Sequence, residues 1–119
     1  MSDSGHSEFA SQWRFPLEPA LKQLPTPAGD RFIEVFRRGT LQVEVYAPRG
    51  SDSQQPHTRD ELYIVMAGQG TFLNNGTRTP FQPGDALFVP AGVEHSFEDF
   101  SDDLVTWVIF WGPEGGEGE

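Results

Sequence analysis

Within residues 31–111 two stretches alternate with a period of two. Phe32, Glu34 and Phe36 alternate with Ile33, Val35 and Arg37, and Leu41, Val43 and Val45 with Gln42, Glu44 and Tyr46. Both stretches are rich in β-branched and aromatic residues, which is strand chemistry. Further strands are predicted at Glu61–Ala67, Thr71–Asn74, Ala86–Val89, His95–Glu98 and Leu104–Trp111. Asn75-Gly76 marks a hairpin, because both residues take positive φ at little cost. Turn residues recur at short intervals: Arg38-Gly39, Pro48-Arg49-Gly50, Gly68, Pro83-Gly84-Asp85 and Pro90-Ala91-Gly92. Many short strands with no long amphipathic helix between them predict an all-β sandwich or barrel.

The two ends read differently. Residues 1–12 are small and polar and are expected to form a mobile arm; four prolines follow between Trp13 and Pro27. Only Glu18–Leu24 has helical spacing, with Leu17, Leu21 and Leu24 on one side, so a turn of helix is expected there. The organisation predicted is an irregular N-terminal segment (1–30), a β-barrel (31–111) and a flexible Gly/Glu tail (112–119). No signal peptide is expected from the polar N-terminus, and the run Leu62–Ala67 is too short to cross a bilayer, so a cytoplasmic location is the default.

Charge and composition narrow the chemistry. Lys and Arg number 8 against 18 Asp and Glu, a formal charge of −10, which disfavours nucleic acid and anionic membranes as partners. The absence of cysteine excludes disulfides, thiol nucleophiles and thiolate zinc sites. Three histidines remain: His6 in the arm, His57 and His95. His57, Arg59, Glu61, Tyr63 and Val65 share one parity with Gln55, so in an extended segment their side chains point one way. His57 and Glu61 then offer nitrogen and oxygen to a common point, and His95 follows a tight Pro-Ala-Gly turn at the start of another strand. Two imidazoles and a carboxylate with open positions form a donor set used by non-haem iron and by catalytic zinc. Arg59 and Tyr63, with the ligand parity, are read as lining a pocket for an anionic substrate, the alternative being a surface arginine and a core tyrosine. Phe97 is placed with them as a pocket residue, although the aromatics as a group are read mainly as core.

These segments resemble the cupins, whose two signature blocks read G-x5-H-x-H-x(3,4)-E-x6-G and G-x5-P-x-G-x2-H-x3-N. Gly84, Pro90, Gly92 and His95 fit the second block, with Asp99 in place of its Asn. His57, Glu61 and Gly68 fit the first; Gln55 stands where it has its first histidine, and Gly50 is one residue out of register. The resemblance implies a jelly-roll barrel, usually a homodimer, holding one divalent ion (Fe, Mn, Ni, Zn or Cu) on His57, Glu61 and His95, with Gln55 as the fourth ligand. Both parities of Ile33–Phe36 and Leu62–Ala67 are apolar, so these strands need cover on two faces, which a second copy could supply. Three functions remain open: a metal-dependent oxygenase or isomerase acting on a small molecule, a non-catalytic metal- or ligand-binding domain, or a metal-free structural barrel.

Overall fold

The chain forms eight strands in the computed structural model, which describes residues 13–118. They are β1 (Phe32–Arg38), β2 (Leu41–Tyr46), β3 (Asp60–Ala67), β4 (Gly70–Asn74), β5 (Thr77–Phe81), β6 (Ala86–Val89), β7 (His95–Glu98) and β8 (Val105–Trp111). The strands build two antiparallel sheets, β1-β2-β8-β3-β6 and β5-β4-β7. This is the all-β architecture that the alternation predicts. The expected arm of residues 1–12, with His6, lies outside the described residues.

The inner faces of the two sheets enclose a core of Tyr63, Val65, Phe72, Phe81, Val89, Phe97, Leu104, Val108 and Phe110. Leu104 packs so closely on the β3–β4 turn that only glycine fits there: Gly68 has φ +92°, and a Cβ would lie 2.6 Å from the Leu104 Cα. A second apolar layer covers the outside of the larger sheet. Helix α1 (Leu17–Leu21) sets Ala20 against Val45, Ala47 and Val105, with Leu17, Leu21, Leu24 and Ile33 around them. Part of the cover that the two-faced strands require is thus supplied by the N-terminal segment of the same chain.

Two expectations need correction. Strand β5 is absent from the pattern-based prediction because Thr77-Arg-Thr-Pro-Phe81 is polar and contains proline. It pairs only with β4, at the sheet edge, where a missing N–H is tolerated. The turn leading into it is the hairpin expected, with φ of 53° at Asn75 and 82° at Gly76. The second concerns the tail, expected to be free. It folds back on the barrel: Gly115 N–H donates to Thr58 O (2.7 Å) and Glu117 N–H to Asp60 Oδ2 (3.0 Å).

Candidate functional site

Strand β3 lies between β8 and β6 in the larger sheet, and its inward parity carries Glu61, Tyr63 and Val65, all buried. Glu61 pairs with Phe110 on one side and Val89 on the other, which sets its side chain into the barrel. His95 comes from the opposite sheet, opening β7 across from Asn74 of β4. The Pro90-Ala91-Gly92 turn aims it. Gly92 adopts φ +78°, and its N–H donates to His57 O (2.6 Å), joining the two histidine-bearing segments through the backbone. Asp60 steadies the same corner by accepting Ala91 N–H (3.0 Å) at Oδ1.

Among the described residues, His57, Glu61 and His95 form one group able to hold a metal ion, their ligand atoms lying within 4.8 Å of one another. His95 Nδ1 is 2.9 Å from Val93 O. A carbonyl only accepts, so Nδ1 carries the proton, and in the neutral ring Nε2 presents its lone pair inward. His95 Nε2 lies 3.2 Å from Glu61 Oε1 and His57 Nε2 4.0 Å from the same oxygen. The 3.2 Å approach is not aligned as a hydrogen bond: Glu61 Oε1, Glu61 Oε2 and His95 Nε2 are all buried without a hydrogen-bond partner among the described residues. Buried polar atoms are rarely left unpaired. Three such atoms side by side fit a divalent cation, and a nitrogen and oxygen donor set without sulfur suits iron, manganese, nickel or zinc.

Burial acts on His95 by lowering its pKa, but contact with Glu61, the Val93 carbonyl and the nearby Asp52 charge together outweigh it, and the net direction is upward.

The amide beside this group is Gln54 and not Gln55. Gln55 is exposed, whereas Gln54 Oε1 lies 3.4 Å from His57 Nε2 and accepts the Tyr63 hydroxyl (2.9 Å). The shared-parity argument fails here because β3 begins only at Asp60, and the Pro56-containing loop before it does not alternate. Asp52 fixes the Gln54 amide by accepting Nε2–H at 3.0 Å; it also accepts Phe97 N–H (2.8 Å) and the Tyr46 hydroxyl. No motif or periodicity marks Asp52 or Gln54 in the sequence.

The remaining expected pocket residues divide. Arg59 lines the cavity, donating to Thr40 O and to Gln42 Oε1 (2.9 Å) and lying over the Phe110 ring at 5.8 Å. Tyr63 is fully buried and reaches the site through its hydroxyl. Phe97 is a core residue, packed on Phe72, Tyr63 and Phe81 with ring centroids 4.8–5.3 Å away.

The cavity lined by His57 and Glu61 of this group has a volume of about 600 Å³. It is walled on one side by β2, whose polar parity (Gln42, Glu44, Tyr46) faces inward while Val43 and Val45 face out. Glu44 accepts Gln42 Nε2–H at 2.6 Å, and its pKa is raised chiefly by burial. With Asp30 it adds to the Glu61 carboxyl in the cavity, and the period-two polarity of β2 was the signal that could have found it.

Comparison with known proteins agrees with this architecture. A family described as "Cupin domain" matches residues 42–111. An uncharacterised protein of Streptomyces coelicolor is 35% identical over 85 residues, covering 70% of this chain and 81% of its own length. Acireductone dioxygenase 1 of Coprinopsis cinerea is 29% identical over 99 residues, covering 73% of this chain but only 56% of the dioxygenase. The crystal structure of a cupin protein from Bacteroides fragilis superposes with a TM-score of 0.57 at 19% identity, covering 76% of this chain and 83% of that one.

Proposed function

We propose, on the premise that this chain belongs to the cupin family, that it binds one divalent metal ion on His57, Glu61 and His95 and acts on a small molecule in the adjoining cavity. The observation that carries this reading is the cluster of buried, unpaired donor atoms Glu61 Oε1, Glu61 Oε2 and His95 Nε2. A bound ion would supply Lewis-acid polarisation of a ligand oxygen.

The chain's own residues set the rest. His95 is held in one tautomer by Val93 O, and Gln54 is held by Asp52 and Tyr63 with its oxygen beside His57. Glu44, with its raised pKa, is the group placed to hold a proton against a ligand in the cavity, and the Gln42 amide fixes its carboxyl through Oε2. Arg59 orients that amide in turn, since its guanidinium occupies Gln42 Oε1 and leaves Nε2–H to face Glu44.

The similarity to a dioxygenase sets the panel for the test. Protein loaded separately with iron, nickel, manganese or zinc is supplied with enolic, diketone and phenolic compounds while oxygen uptake and proton NMR spectra are followed. Turnover that requires the metal and disappears in Glu44→Gln is the expected result. Metal uptake without turnover of any compound would reduce the reading to a non-catalytic metal-binding domain.

A further inference from the structure

We propose that the mouth of the cavity carries a separate recognition site for an anionic group of the ligand, formed by Arg31 and Arg49. This rests on the small-molecule reading of the cavity, whose substrate class it names, but it requires no bound metal.

The hairpin of β1 and β2 brings the two arginines together. Phe32 pairs with Tyr46, Ala47 N–H donates to Arg31 O (2.9 Å), and Arg49 follows two residues later. Both line the same cavity as Glu61 and His57. Each is anchored through backbone carbonyls: Arg31 Nε donates to Ala47 O (2.7 Å), and Arg49 Nη1 to Pro48 O and Leu104 O (both 2.8 Å). Such bonds fix direction without neutralising charge. Among the described residues neither guanidinium forms an ion pair, although Arg37 and Arg78 pair with Glu34 and Glu98. Asp30 and Glu44 also line the cavity but do not pair with either guanidinium.

Two guanidiniums free of ion pairs on one cavity leave their charge available to an anion. Burial and the neighbouring Arg49 charge both lower the pKa of Arg31, so the pair repels until an anion arrives. The uncommitted nitrogens match the oxygens of a carboxylate or phosphate. Phe32, 45% exposed at the same mouth, offers a face for a planar or apolar body. Gln42, abreast of Phe110 and Glu61, and Tyr46 lie four residues apart on β2. That is roughly 13 Å along a strand, so a ligand touching both triad and arginines is elongated.

The test uses metal-free protein and NMR titration with phenyl phosphate, 3-phenylpropionate and the uncharged 3-phenylpropionamide. Both anions should bind about tenfold or more tightly than the amide, with the preference falling as salt is added. Arg31→Gln and Arg49→Gln should each weaken the anions about tenfold and leave the amide unchanged, while Arg38→Gln outside the cavity should change nothing. Arg49→Lys keeps the charge if loss of the Leu104 anchor unfolds the glutamine variant, and it should retain a preference for the anions. Equal binding of acid and amide, or anion binding indifferent to both arginines, would overturn the proposal. Anion preference in a protein that takes up no metal supports it and removes only the metal reading; metal uptake without anion preference does the reverse.

Discussion

Replacing Glu61 should make the metal-free protein more stable while removing its ability to take up metal. Glu61 is 1% exposed, and neither carboxyl oxygen has a hydrogen-bond partner among the described residues. Each such atom costs about 1–3 kcal/mol in the folded state. Methionine has a similar volume and no strong polar atom, so Glu61→Met removes two of the three orphaned atoms at the site. Where His95 is neutral the exchange leaves no buried charge without a partner, so removing the two oxygens should stabilise by about 1–3 kcal/mol; where His95 is protonated it breaks a buried pair and that gain is lost. For a domain of this size each kcal/mol moves the midpoint of thermal unfolding by about 4 °C.

The effect depends on pH with a definite sign. His95 has a raised pKa, so its contact with Glu61 contributes stability that is fully present below the ordinary imidazole value of 6.5. That contribution is lost as pH rises through the folded-state value. The advantage of Glu61→Met should therefore be larger near pH 8.5 than near pH 5.5. Circular dichroism melts of metal-free wild type and variant measure it, and added metal should raise only the wild-type midpoint. A variant that melts below wild type near pH 8.5 without metal would refute the reasoning.

Three further outcomes follow from the same geometry. Gly68→Ala should destabilise the fold by about 3 kcal/mol or more, because it combines a disfavoured φ with a clash against the Leu104 backbone; an unchanged urea midpoint would contradict this. Asp52→Asn should lose about 1–3 kcal/mol in chemical denaturation, since one amide oxygen cannot serve all three donors now held by the carboxylate. It should also weaken metal binding about 10–100-fold in chelator competition by releasing Gln54. Metal affinity should fall as pH is lowered, because protons compete for the raised-pKa His95; calorimetric titrations giving the same affinity near pH 5.5 and near pH 8 would show that His95 is not a ligand.

Most of the barrel is legible in the sequence because a buried sheet imposes period two, as in Leu41-Gln42-Val43-Glu44-Val45. The pattern is silent over Thr77–Phe81, an edge strand that buries only Phe81 and exposes its other four residues. Strand β2 is instructive in another way. Its polar parity looks like a solvent face, yet it lines the cavity, and Val45 of its apolar parity is covered by α1. Spacing places Glu61 and His95 together because a strand fixes the one and a turn of defined geometry the other; His57 joins them from the loop, where its carbonyl accepts Gly92 N–H. Spacing errs at Gln55 because parity has no meaning in the loop before Asp60. The Asp52–Gln54 arrangement arises from a loop folding over the barrel mouth, a long-range event that no local signal records.

The account rests on a metal ion bound by His57, Glu61 and His95. Elemental analysis of untagged wild type and of His95→Ala, purified in parallel and reconstituted with iron, manganese, nickel or zinc, tests this most directly. About one equivalent of a divalent metal per wild-type chain, and near none in the variant, is the result predicted. Equal metal content in the two proteins, or none in either after reconstitution, would contradict it.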